Sequence, residues 1–135
     1  MKIDGRCHCG SITYEAEIDA DNVRICHCTD CQRLSGTAFR ISVGTPEANF
    51  ALLSGSPKTY VKTGESGARR AQVFCPECGS QIYATAAEGD GPKVFNLRTG
   101  TIDQRDRLVP RSQIWRRSAQ PWLGEIGSIP AREMQ

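Results

Sequence analysis

The chain has no long apolar run. No stretch of its 135 residues approaches the roughly 18 consecutive apolar residues of a membrane helix, so no membrane partner is expected. The opening stretch MKIDGRCHCG lacks the apolar core of a secretory signal, which points to the cytoplasm. There is no excess of one charge. Lys plus Arg number 17 and Asp plus Glu 15, a net charge of +2, and no basic run is long enough to track a phosphate backbone. Nucleic acid is therefore not an expected partner. Aromatics are scarce at 7% and hydrophobic residues make up 39%, so the core should be modest and would gain from metal staples. There is neither an internal repeat nor a low-complexity tract. The length suits one domain over residues 1–135, with residues 127–135 (GSIPAREMQ) reading as a tail.

Helix signals are also few. Seven segments are short, rich in β-branched and aromatic residues, and bounded by Gly, Pro, Asp or Ser: 11–18, 23–28, 38–44, 58–64, 70–75, 80–86 and 93–100. In the first, Ile12, Tyr14, Ala16 and Ile18 alternate and should share one face. TDCQRLSG predicts a turn or two of helix, capped by Thr29 or Asp30 and stopped by Gly36. TPEANFALL (45–53) reads equally as helix or strand, 86–93 reads as a loop, and TIDQRDRLVPRSQ reads as irregular. The expected fold is mainly β with little helix.

Cysteine is what the chain has. Seven is an odd number, so disulfides alone would leave one thiol over, and a reducing cytoplasm disfavours them. They fall into three groups: Cys7 and Cys9; Cys26, Cys28 and Cys31; Cys75 and Cys78. FCPECGS reads as a zinc knuckle, with Pro76 shaping the turn and Gly79 free to take a positive φ. A redox C-x-x-C pair would instead open a helix, and the following GSQIYATA reads as a strand. C-x-C suits a strand, where residues i and i+2 share a face; Cys31 then lies past the strand end, where the chain can turn back.

Thiolate-only zinc takes four ligands in a closed structural site, and three when one position is left for water or substrate. Seven thiols divide as four plus three. Cys7, Cys9, Cys75 and Cys78 can form the closed set, leaving Cys26, Cys28 and Cys31 open. The other division joins Cys28 and Cys31 with Cys75 and Cys78, leaving Cys7, Cys9 and Cys26. The first is more compact, because a triplet within six residues needs no distant closure. His8 and His27 each sit between two cysteines and should point the other way, into supporting hydrogen bonds.

The motifs GRCHCGSITYEA, CHCTDCQRLSG, FCPECGSQIY, LRTGTID and IWRRSAQPW span residues 5–122. Together they resemble the glutathione-dependent formaldehyde-activating enzyme family, which includes centromere protein V. The resemblance implies a β-tent fold of small antiparallel sheets pinned by zinc, and the first division of the cysteines. Cys7, Cys9, Cys75 and Cys78 would hold a structural zinc, and Cys26, Cys28 and Cys31 a catalytic one. The implied activity is that of a carbon–sulfur lyase, the addition of glutathione or a similar small thiol to formaldehyde or a related small aldehyde. The alternative is a non-catalytic zinc-stabilised binding module, as the centromeric relative suggests.

Glutathione carries two carboxylates, so arginines are candidate binders: Arg33, Arg40, Arg98, Arg116 and Arg117. Arg33 and Arg40 flank the triplet and rank first, and Ser35 and Gly36 are placed to line a pocket mouth. Trp115 and Trp122 are expected to close the core.

Overall fold

The alternation in residues 12–18 becomes the wall of the core. The computed structural model describes residues 1–135, and Ile12, Tyr14, Ala16 and Ile18 are all buried on one face, as their period-2 spacing predicts. Strand β2 (Thr13–Glu17), flanked by Ile12 and Ile18, runs between β1 (Lys2–Arg6) and β5 (Phe50–Ser54) in a three-stranded antiparallel sheet. The larger sheet has seven strands. They are β3 (Val23–Cys26), β4 (Arg40–Pro46), β6 (Lys58–Thr63), β7 (Arg69–Phe74), β8 (Gln81–Ala86), β9 (Val94–Arg98) and β10 (Ser112–Ile114), in the order β10-β3-β4-β9-β8-β7-β6. All neighbours in it are antiparallel except β10, which runs parallel to β3. One α-helix, α1 (Thr29–Ser35), follows β3, and the remaining helical turns are short 3-10 pieces. No helix is long and apolar enough to cross a membrane.

The scarce aromatics are pooled. Phe50 packs on Tyr14, Tyr83 and Phe95 at 5.2–5.3 Å between ring centroids, and Tyr83 stacks on Phe95 at 4.1 Å. This cluster joins the two sheets. The segment read as helix or strand resolves into both: a 3-10 turn over Glu47–Asn49, then β5. Strands β1 and β10 were not expected. β1 is interrupted by Gly5, and β10 is three residues within a polar stretch; each is held by its partner rather than by its own pattern.

Burial pushes the Tyr14 hydroxyl up to about 12; its bond to Thr101 Oγ1, 2.7 Å, opposes this and Asp103 adds to it. A pKa raised on folding means stability that is complete below the unfolded value near 10 and is lost as pH rises through 12. The expected result is a loss of stability of roughly 3 kcal/mol between those limits, assigned to Tyr14. Tyrosinate absorbance and circular dichroism should move together there. If Tyr14 ionised near pH 10 with the fold intact, the assignment would be wrong.

Candidate metal centres and the cleft above them

Two thiol clusters form, and they divide as four and three. In the first, Cys7, Cys9, Cys75 and Cys78 place all four sulfurs within 4.8 Å of one another. Cys7 and Cys9 lie in the turn after β1, not on a strand face as expected; Gly10, at φ 81°, completes that turn. Cys75 and Cys78 lie in the β7–β8 connection, where the Gly79 N–H donates to the Cys75 carbonyl at 2.8 Å with Gly79 at φ 78°. The Cys7–Cys9 and Cys9–Cys75 sulfur separations are 3.5 and 3.8 Å. Zinc at 2.3 Å from each of four tetrahedral sulfurs requires about 3.8 Å between them, so the cluster fits that ion. Donors already favour thiolate at two of the four, Cys78 and Cys7. The Ser80 hydroxyl and backbone N–H bring Cys78 down to about 5. Burial raises Cys7, but the Ile12 N–H and the Ser11 hydroxyl outweigh it and leave that thiol lowered.

The second cluster is Cys26, Cys28 and Cys31, again with all sulfurs within 4.8 Å. Cys26 ends β3 and Cys31 is buried in the first turn of α1. Cys28 itself caps the helix: its Sγ accepts the Cys31 N–H at 3.2 Å, taking the role expected of Thr29 or Asp30. Gly36 stops the helix at φ 70°, as expected. Within the triplet, a bond from Cys31 lowers the Cys26 thiol, while that bond and burial push Cys31 far up. Neither histidine joins a cluster. His27 is buried with Nε2 2.7 Å from Gln113 Oε1, and the His8 N–H donates to Ser80 Oγ at 3.0 Å.

The triplet faces a cavity of about 230 Å³. Its walls come from one face of the larger sheet: Arg24 and Cys26 on β3, Arg40 and Ser42 on β4, Asn96 and Arg98 on β9, Ala84 on β8, Arg70 and Gln72 on β7, Lys62 on β6. In a flat sheet β3 and β7 would lie about 19 Å apart. Arg24 and Arg70 line the same cavity, so the sheet is curled into a trough. Ile114 and Trp115 close one side.

Five cationic side chains line this cavity and no carboxylate does. Arg40 and Arg98 are over nine-tenths buried, and the Nε of each lacks a partner. Both donate to Gln72 Oε1, at 3.3 and 3.1 Å; Arg40 also donates to Gln81 Oε1 at 2.8 Å and Arg98 to Ser42 Oγ at 2.8 Å. Burial first, then Arg40, brings Arg98 down to about 9, against the pull of Cys31 and Cys26. Lys62 is tied to Asp30 at 2.7 Å.

Of the expected substrate residues, Arg40 and Arg98 line this cavity. Ser35 lines a second one of about 530 Å³, which shares Arg40 and Arg98 with the first. Arg33 and Gly36 are exposed and line neither. Trp115 and Trp122 do not close the core; they are 42% and 45% exposed. Trp115 instead walls the triplet cavity with φ at 57°, a left-handed backbone that a tryptophan rarely takes, and Arg117 lies 4.8 Å over its ring. Arg117 also pairs with Glu65 at 2.8 Å, and Arg116 is exposed. Sequence reasoning missed Arg24, Arg70 and Lys62. Their signal is the period-2 face, legible only once strand register is known.

A family model described as "Glutathione-dependent formaldehyde-activating enzyme" matches residues 2–118. An uncharacterized lyase of Schizosaccharomyces pombe is 27% identical over 99 residues, covering 69% of this chain and 64% of its own length; the match thus spans less than two thirds of that relative. A crystal structure of a Rhodobacter sphaeroides protein superposes with a TM-score of 0.60 at 18% identity, covering 82% of this chain and 98% of that one, which shows a shared fold. The chain belongs to the glutathione-dependent formaldehyde-activating enzyme family.

Proposed function

We propose that this chain is a zinc-dependent carbon–sulfur lyase-like enzyme that joins a small thiol, glutathione or a relative, to formaldehyde or a similar small aldehyde. The observation that carries the reading is the triplet: three converging thiols, no fourth protein ligand, and a cavity in front of them. Cys7, Cys9, Cys75 and Cys78 hold a structural zinc, two of them buried in the core and two at the surface. Cys26, Cys28 and Cys31 hold the catalytic zinc. When bound there, zinc supplies a thiolate at neutral pH from a thiol that would otherwise stay protonated.

The chain's own residues do the rest. The triplet directs the substrate sulfur into the trough. Arg40 and Arg98, held by Gln72, place positive charge beside it and favour its anionic form. The sulfur forms a bond to the aldehyde carbon, the carbonyl π pair moves onto oxygen, and the proton given up by the thiol ends there. The product is a hydroxymethyl thioether, with no oxidant or reductant required.

Zinc stoichiometry tests this. The wild-type chain should carry about two ions and Cys28→Ser about one. Serine is itself a good helix cap, so α1 should survive and circular dichroism should be unchanged. The rate of adduct formation between glutathione and formaldehyde should fall by more than the roughly 10–100-fold that accompanies loss of a mere supporting partner at a metal site. A wild-type chain with one zinc, or an unchanged rate in Cys28→Ser, would transfer the assignment to a zinc-stabilised binding module.

A further inference from the structure

The cations of the trough are not equally occupied. Three thiolates and one zinc ion carry a net charge of −1, and a fourth thiolate from the substrate makes it −2. Arg40 and Arg98, buried at the floor, match that charge. Lys62 is paired with Asp30. Arg24 and Arg70 are left over. Arg24 has a single side-chain bond, to the neutral Asn96 Oδ1 at 2.7 Å, and Arg70 has no side-chain hydrogen bond or ion pair. Both are half-buried, and burial and then Arg24 hold the Arg70 pKa below its ordinary value. Two like charges at a half-buried site disfavour one another, and an anion between them relieves that repulsion.

The same two arginines line the adjoining cavity, about 550 Å³, at the outer end of the trough. The one carboxylate there, Glu88, is engaged by Arg69. The neutral polar side chains are spent as well. Gln72 serves Arg40 and Arg98, Ser42 serves Arg98, and Asn96 joins Arg24 to the Ala84 carbonyl at 3.4 Å. Little remains to recognise an amide. What remains is two guanidinium groups at the junction of the two cavities, with the Lys93 ammonium on the wall of the outer one, and guanidinium matches carboxylate.

We propose that Arg24 and Arg70 form a carboxylate clamp that makes the site selective for acidic thiols, reading the charge of the substrate rather than its peptide frame. This rests on the thiol-binding reading above and assigns its specificity. A short thiol acid satisfies both ends of the trough: its sulfur at the triplet, its carboxylate between Arg24 and Arg70. A neutral thiol of the same size satisfies only the first.

The test is calorimetric titration of the zinc-loaded full chain with 3-mercaptopropionate and with 2-mercaptoethanol. The acid should bind roughly tenfold tighter or more, as expected for a charge-assisted bidentate contact. In Arg24→Met/Arg70→Met, which keeps the apolar stems, the two thiols should bind alike, with 2-mercaptoethanol unchanged from wild type. The single variant Arg70→Gln, which keeps a polar side chain and serves as the check on folding, should lose part of the preference. Equal binding of both thiols by the wild type overturns the clamp and leaves the enzyme reading standing, as does a preference that survives the double substitution. Failure of both thiols to bind overturns the clamp and the enzyme reading together.

Discussion

A Cys75→Ser chain is expected not to fold. Cys75 is fully buried, and with Cys7 it belongs to the same core cluster as Ile3, Ile82 and Leu97. The proposed four-thiolate zinc joins the turn after β1 to the β7–β8 connection, and so the small sheet to the large one. Structural zinc contributes on the order of 10 kcal/mol in small domains, comparable with the whole stability of roughly 5–15 kcal/mol expected here. The serine hydroxyl adds a buried polar group, worth about 1–3 kcal/mol if it goes unpaired. The contrast with Cys28→Ser is the informative part: one loss should abolish the circular dichroism of the fold, the other only one metal ion. A Cys75→Ser chain with a wild-type urea midpoint would remove the structural role from this cluster.

Gly5→Ala should destabilise the fold by about 3 kcal/mol, the upper end of what overpacking usually does. Gly5 faces Tyr14 across the β1–β2 pair, and the Tyr14 ring lies over its Cα. A methyl group there would overlap the ring carbons and the hydroxyl. The ring has nowhere to go, since its oxygen bonds Thr101 at 2.7 Å and its face meets Phe50 at 5.2 Å. Urea unfolding at saturating zinc reads the effect. In a Tyr14→Leu background the same substitution should cost much less, because the two sites share one volume. A loss under about 1 kcal/mol in the wild-type background would mean that β1 shifts to admit the methyl.

The seven segments read as strands from pattern alone all carry strands, because alternation and flanking turn residues act locally. β1 and β10 are different. β1 is a strand because β2 offers a register that seats Tyr14 on glycine, and β10 because β3 has a free edge. Neither fact is local. The three cysteine groups were legible through spacing, and their division into four and three through compactness and the family resemblance, although the local geometry differed: Cys7 and Cys9 converge through a turn, and Cys28 serves as a helix cap. The arginines were the least legible. Nothing near Arg24 or Arg70 in sequence marks them, and they meet because four strand spacings have curled them together. Trp115 and Trp122 read as core because they are large and apolar; the aromatic cluster around Phe50 already fills that space.

The parallel pairing of β10 with β3 also sets an order of assembly. Both thiol clusters are complete once residue 78 is in place, and the triplet, within six residues, can close early, whereas the four-thiol cluster must bring together residues as far apart as Cys9 and Cys75. The wall formed by Ile114 and Trp115 depends on a pairing that spans nearly ninety residues, Ser112 with Arg24. On a growing chain the triplet would therefore stand open to bulk solvent, able to capture metal and equally open to oxidants, until β10 arrives and seals the flank. Metal acquisition would precede closure of the trough during biogenesis, and a chain interrupted before residue 112 would be a metal-binding protein with an open flank.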